Sequence, residues 1–199
     1  MKRLFDFSAA LVGLIVLAPL LLVIAVAIKL AGPGPAVYAQ ERMGLKFKPF
    51  MLYKFRTMRP DADRDGPSVT SEGDKRITGI GRLLRKFKLD ELLQLYNVLK
   101  GDMSLVGPRP EVRKYVEMFP DDFKVILSVR PGITDYAAIE YRNEEGILSN
   151  HKDPEECYVN EVLPAKIRLY KRYISDNNML LDVALILRTI AAILVARDR

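Results

Sequence analysis

A chain of 199 residues is long enough for one domain with a sizeable core, and a formal charge of +6 points to anionic partners: a membrane surface, a nucleotide or a nucleic acid. The single cysteine, Cys157, excludes an intramolecular disulfide framework. With one histidine, His151, it leaves too few ligands for a Cys/His zinc site. His151 sits in the polar run Ser149-Asn-His-Lys-Asp-Pro154, the setting of a solvated loop and not of a catalytic triad.

Residues 7–28 form an uncharged apolar run, roughly 33 Å long as a straight helix, which is enough to cross a bilayer. The run is too long for the apolar core of a signal peptide. Pro19, behind Ala18, stands in its middle, where it removes a helix hydrogen bond and bends the axis. Lys2 and Arg3 precede the run, and Lys29, Arg42, Lys46 and Lys48 follow it. Positive charge prefers the cytoplasmic side, and here it flanks both ends. Two forms fit these facts. One is a kinked span; the other is a re-entrant helix that breaks at Ala18-Pro19 and returns to the leaflet it entered. Ala31-Gly-Pro-Gly-Pro35 then ends the segment.

Residues 36–44 and 47–58 read as two extended segments about a turn at Gly44. In the second, aromatic residues alternate with cations (Phe47, Lys48, Phe50, Tyr53, Lys54, Phe55, Arg56), a pattern that suits nucleic acid or a membrane interface. The apolar segment just upstream favours the interface, with rings at headgroup depth, so nucleic acid is not expected as a partner. Residues 59–75 read as a polar, turn-rich loop whose acids match no calcium-loop spacing.

Next, Arg82, Arg85, Lys86 and Lys88 run into the adjacent carboxylates Asp90 and Glu91, which open an apolar helical run closed by Gly101. Val106-Gly-Pro-Arg-Pro110 holds Arg109 on a stiff turn. Acids in a first helical turn often serve only as caps and dipole partners. Beside arginines that grip phosphate as planar forks, a carboxylate can instead attack phosphorus or hold a divalent cation. Further on, residues 111–119 and 121–129 read as short helices about Pro120, residues 136–142 as a strand or loop over the site, and residues 154–173 as a surface helix. Residues 179–196 carry Leu180, Val183, Leu187, Ile190 and Leu194 at alternating spacings of three and four. Asp182 and Arg188 make a bilayer span there costly, so the expectation is an amphipathic helix at the interface or against the core.

The chain resembles the monotopic phosphoglycosyl transferases, or bacterial sugar transferases, nearly end to end. The likeness is carried by Lys2-Arg3-x-Phe5-Asp6, Gly34-Pro35, Gln40-x-Arg42-x-Gly44, Lys54-Phe-Arg-Thr-Met58 and Arg76-Ile-Thr78. It continues through Gly81-Arg82-x-Leu84-Arg85, then Leu89-Asp-Glu-Leu-x-Gln-Leu-x-Asn-Val-Leu-x-Gly-Asp-Met-Ser104, Val106-Gly-Pro-Arg-Pro110 and Arg130-Pro-Gly-Ile-Thr134. The resemblance implies transfer of a sugar 1-phosphate from a UDP-sugar to polyprenyl (undecaprenyl) phosphate with release of UMP, the first membrane step of bacterial glycan assembly. It also implies a covalent phosphosugar on Asp90. Glu91 would lie near a required Mg²⁺ or assist proton transfer, with Asp90 and Glu91 together as the metal carboxylates.

Arg85 and Arg109 are the first candidates for phosphate and nucleotide contacts, followed by Lys54, Arg56 and Arg82, each of which could instead serve structure or lipid headgroups. The expected fold is α/β and predominantly helical. A re-entrant membrane helix (1–31) leads into a small catalytic core (32–150), and amphipathic interfacial helices (151–199) complete the same domain. The core would face the cytoplasm on the bacterial inner membrane, with membrane lipid as a further partner and homo-oligomerisation left open. The compact form resembles the branch acting on N-acetylated amino sugars.

Three positions depart from the family pattern: Leu93 replaces a common proline, Asp135-Tyr136 a common Gly-Leu where the sugar sits, and Ala18 a common serine before Pro19. A non-catalytic basic membrane-surface protein, and the same transfer by direct displacement with Asp90 as base, remain alternatives.

Overall fold

The computed structural model describes residues 1–62, 66 and 69–195. Parts of the expected 59–75 loop, and Ala196 at the end of the expected last helix, lie outside them. The chain is mostly helical, with two small two-stranded sheets.

Helix α1 (Lys2–Leu30) is continuous, with Pro19 inside it. Ala18-Pro19 is therefore a place where the helix can bend and not one where it ends. One proline removes a single hydrogen bond, and the strong helix formers on both sides carry the helix through it. α1 is long and apolar enough to cross a membrane. Both of its ends are nevertheless fastened to the same body. At the start, Asp6 accepts from Ser104 Oγ at 2.8 Å and Leu105 N at 3.2 Å, and Arg3 donates to the carbonyls of Val98 and Leu99. At the other end, Ile24 and Ile28 pack on Phe55 and Leu84. Between them Val12, Ile15, Val16, Leu22 and Val23 face outward.

The two extended segments pair as expected. Strands β1 (Val37–Met43) and β2 (Pro49–Phe55) form an antiparallel hairpin in the register Val37↔Phe55 to Met43↔Pro49. The alternating aromatics of β2 do not form an outward row of rings: Phe55 is buried, Phe50 packs in a core cluster, and Tyr53 stacks on Tyr96 at 5.6 Å. Helix α2 (Gly79–Lys86) is capped by Thr78, whose hydroxyl accepts from Gly81 N at 3.0 Å. Lys88 then takes a left-handed conformation (φ 54°) that turns the chain into a 3₁₀ segment, Leu89–Leu93, and on into α3 (Gln94–Lys100). The expected cap at Gly101 is present, with φ 91°. Asn97, fully buried, clamps α3 to β2 by accepting from Tyr53 N at 3.1 Å and donating to Met51 O at 2.7 Å.

Strand β3 (Ser104–Val106) pairs in parallel with β4 (Gly132–Thr134). A side chain on Gly132 would begin 2.0 Å from Gly107 N, so only glycine permits this approach. The pairing brings the Pro108-Arg109-Pro110 turn beside residues 132–135. Helices α4 (Arg113–Met118) and α5 (Pro120–Ile126) flank Pro120 much as expected. Residues 136–142 are not a strand: Asp135 caps a short helix, α6 (Tyr136–Glu140), by accepting from Ala138 N at 2.7 Å. Helix α7 (Glu144–Ser149) follows.

The segment expected to be a surface helix is the centre of the core. It comprises α8 (Pro154–Cys157), a π turn (Tyr158–Val162) and α9 (Leu163–Asp176). Tyr158, Val162, Leu163, Ile167 and Tyr170 pack with Tyr115, Phe123 and Leu148 in the largest apolar cluster. The misleading feature is Lys166, a charge that is buried because Glu144 and Glu111 neutralise it.

Helix α10 (Met179–Val195) follows and packs on Val106 and Tyr173 through Leu185. Its packed face holds Leu185 together with Asp182, which accepts from Tyr173 at 2.7 Å and pairs with Lys2. Its outer face exposes Leu180, Leu187 and Ile190.

Candidate active site

The 3₁₀ segment places Asp90 and Glu91 side by side with different surroundings. Glu91 is gripped by two cations. Arg109 Nη1 donates to Oε2 at 3.1 Å while Nη2 donates to Oε1, and Lys54 Nζ reaches Oε1 at 3.4 Å. Burial alone would raise the Glu91 carboxyl, but Arg109 and Lys54 outweigh it and hold the group well below the usual carboxylate range. In return, Glu91 lifts the Arg109 guanidinium well above its ordinary value.

Asp90 is as buried but has no such partner. Its Oδ1 has no hydrogen bond among the described residues. Burial and then the adjacent Glu91 raise its carboxyl; Lys54, Arg85 and Lys88 act on it as more distant charges that pull the other way. The pair is thus asymmetric: one carboxylate is locked in its ionised form, and the other is more basic and carries an open oxygen. Gln94, in the next turn, is almost fully buried with neither amide atom paired. Burial pushes the Lys54 ammonium down to about 8, with Glu91 opposing and Arg109 and Arg42 assisting.

Of the sequence candidates, Glu91, Lys54 and Arg109 meet directly, with Asp90 next to Glu91 in the chain. Arg85 borders them but spends its guanidinium on Glu145 and Thr57. Arg56 is elsewhere. It donates to the carbonyls of Ile28 (3.3 Å), Gly32 (3.2 Å) and Pro33, tying down the end of α1, so its role here is structural. Arg82 is exposed and lines, with Arg56 and Arg59, a cleft of ≈ 360 Å³ beside residues 31–33.

Sequence reasoning missed the ionic network behind Arg109. Glu111, directly after Pro110, pairs with Lys166 and with Arg42 (each at 3.6 Å) and accepts from Tyr158 at 2.7 Å. Only the third dimension joins these residues, although Arg42 and Pro110 both lie in motifs that carry the resemblance. His151 is exposed, as expected. The fold does bring donor atoms of His151, Cys157 and Glu161 within 4.8 Å of one another, but burial and Glu161 push the Cys157 thiol up and disfavour the ligating thiolate.

The arrangement is thus a pair of adjacent carboxylates among cations, one held ionised by Arg109 and Lys54 and one with an unpartnered oxygen. The chain belongs to the bacterial sugar transferase family, whose family model matches residues 1–196. Over 196 residues it is 37% identical to the UDP-N-acetylgalactosamine-undecaprenyl-phosphate N-acetylgalactosaminephosphotransferase of Aeromonas hydrophila, covering 97% of this chain and 43% of that protein. A putative undecaprenyl-phosphate N-acetylgalactosaminyl 1-phosphate transferase of Bacillus subtilis (strain 168) is 47% identical over 121 residues, 61% of this chain and 68% of that protein. The UDP-glucose:undecaprenyl-phosphate glucose-1-phosphate transferase of Caulobacter vibrioides is 37% identical over 198 residues, 97% of this chain and 69% of that protein. The chain spans less than half the length of the Aeromonas relative.

Proposed function

We propose that this chain transfers a sugar 1-phosphate from a UDP-sugar to polyprenyl phosphate, by way of a phosphosugar on Asp90. The observation that carries this is the asymmetry of the adjacent pair: of Asp90 and Glu91, it is Asp90 that keeps a buried oxygen without a hydrogen bond among the described residues, in a cation-lined position. An Asp90 oxygen attacks the β-phosphorus. The bond from that phosphorus to the bridging oxygen breaks, and UMP leaves with the electron pair. In the second half, an oxygen of polyprenyl phosphate attacks the same phosphorus and the acyl-phosphate bond breaks, restoring the Asp90 carboxylate. Lys54 and Arg109 hold Glu91 in place and offset negative charge near the reacting phosphorus.

The donor set suits Mg²⁺, which takes one or two carboxylates together with substrate phosphate oxygens. A carboxylate offers about four lone-pair positions. Arg109 and Lys54 use three on Glu91, leaving one on Oε2, and Oδ1 of the adjacent residue in the chain, Asp90, has no hydrogen bond among the described residues. When bound there by Glu91 and Asp90, the ion would neutralise charge on the pyrophosphate.

The relatives named for N-acetylgalactosamine favour an N-acetylated amino sugar as donor. The fastening of both ends of α1 to one body favours a re-entrant, membrane-embedded helix over a span, and the positive charge flanking both ends of the apolar run favours a catalytic core on the cytoplasmic face of the inner membrane. A straight helix of this length would extend roughly 43 Å and carry its ends to opposite sides of a bilayer.

The test is UMP release from a panel of UDP-sugars with undecaprenyl phosphate and Mg²⁺, alongside retention of labelled sugar phosphate on the denatured protein. One donor should give UMP, lost on chelation and in Asp90→Asn, and label should remain only on protein with Asp90. Turnover without retained label would replace the covalent step with direct displacement. Membrane-bound protein that gives no UMP from any donor would refute the transfer.

A further inference from the structure

The two glutamates that open α7 face different partners. Glu144 points inward, where its Oε2 accepts from the buried Lys166 at 2.9 Å. Glu145 points to the rim of the carboxylate site, where its Oε1 accepts from Arg85 Nε at 2.9 Å and Nη2 at 2.6 Å. We infer that the Glu145 carboxylate stands in for a phosphate on Arg85, is displaced when the nucleoside diphosphate donor binds, and thereby sets donor affinity. The inference rests on the transfer reaction proposed above.

Four features carry it. The contact is a poor use of a guanidinium, because both donated N–H groups converge on one oxygen and Oε2 takes neither. A phosphate presents oxygens spaced for two parallel bonds to the same edge. Arg85 is also held from its far side, where Nη1 donates to Thr57 Oγ1 at 3.3 Å, and Thr57 is itself buried, so the guanidinium keeps its place when the carboxylate leaves.

Glu145 can leave without disturbing α7. The helix is anchored by the Glu144–Lys166 pair and by a backbone bond from Glu72 N to Glu145 O at 3.1 Å, neither of which uses the Glu145 carboxylate. That side chain is 36% exposed and turns into water on release. Finally, the last turn of α2 leads straight into the carboxylates, with Lys88 N donating to Arg85 O at 3.1 Å and Glu91 N to Lys88 O at 3.3 Å, so an anion seated on Arg85 borders the Asp90 segment. The Arg109–Glu91 pair is the contrasting case: it engages both carboxylate oxygens, and its glutamate is only 13% exposed.

The experiment is calorimetric titration of UDP with Mg²⁺ into the full chain in detergent, for wild type, Glu145→Gln, Arg85→Met and the double variant. Removing the competing carboxylate should tighten UDP about fivefold in Glu145→Gln, the equivalent of about 1 kcal/mol for a half-exposed ion pair. In the Arg85→Met background the same change should leave affinity unaltered. Glu145→Ala serves as a second release variant, and thermal unfolding checks that each protein is folded. The inference is overturned by weaker binding in both Glu145 variants, which would make Glu145 a positioning partner of Arg85, or by equal tightening with and without Arg85, which would reduce the effect to charge at a distance. An unchanged affinity in Glu145→Gln would also overturn it, leaving the proposed reaction intact. No UDP binding by wild type would instead remove the reaction on which it rests.

Discussion

Replacing Arg109 with methionine tests how the site is held together. Arg109 supplies two of the three cationic contacts on Glu91, which is 13% exposed, while Arg109 itself is 29% exposed. Breaking a fully buried pair typically costs about 3–5 kcal/mol, and breaking a surface pair costs about 0–1 kcal/mol. The intermediate exposure here places Arg109→Met at about 2–3 kcal/mol. Most of that is the cost of leaving Glu91 with Lys54 alone, so Glu91→Gln added to Arg109→Met should recover a good part of it.

The pH dependence follows the same pair. The folded Glu91 carboxyl lies well below its ordinary 4.5, so the unfolded chain binds its proton first as pH falls. The stabilisation is complete above that value and is lost as pH drops from there towards the folded pKa. Urea unfolding in detergent between neutral pH and pH 3 should show wild type losing this increment, and Arg109→Met losing much less. A change under about 0.5 kcal/mol in Arg109→Met, with no recovery in the double variant, would refute the claim that this pair organises the site.

Asp90→Asn should lower UMP release by about a thousandfold or more in the UDP-sugar assay, with thermal unfolding showing a folded protein. The Lys54 ammonium, pushed down to about 8, should react with a small amine-directed acylating reagent at pH 8 ahead of lysines with ordinary values, and mass spectrometry of the labelled peptides reads this directly. Asn97→Ala removes the clamp to Tyr53 N and Met51 O from a fully buried position and should cost about 2–4 kcal/mol in urea unfolding. Arg56→Met should loosen the end of α1, seen as faster hydrogen exchange at residues 28–34, without changing UDP affinity. A large loss of UDP affinity in that variant would return Arg56 to the substrate site.

Much of the local structure was legible. The turn at Gly44, the cap at Gly101 and the two extended segments follow from backbone preferences that act over a few residues. Where the reading failed, the cause was a long-range partner. Lys166 and the other charges of residues 154–173 look like a solvated face until Glu144 and Glu111 arrive from elsewhere to neutralise the lysine. Asp182 makes a bilayer span costly, but only the fold shows that its charge is met by Lys2 and Tyr173. For Arg56 the sequence left phosphate, headgroup and structural roles open, and only the fold shows it donating to the carbonyls at the end of α1.

The order of residues determined by itself that an apolar helix leads the chain, that two carboxylates stand together behind a run of cations, and that a stiff Pro-Arg-Pro turn follows them. It could not decide which cation serves which carboxylate. Arg85, only five positions before Asp90, turns to Glu145, sixty residues from it in the chain, while Arg109, eighteen residues beyond Glu91, closes on that glutamate. The reason is physical. Helix, turn and cap preferences are set by neighbours along the backbone, whereas the strength of an ion pair depends on through-space distance and burial, and these exist only once the chain has folded.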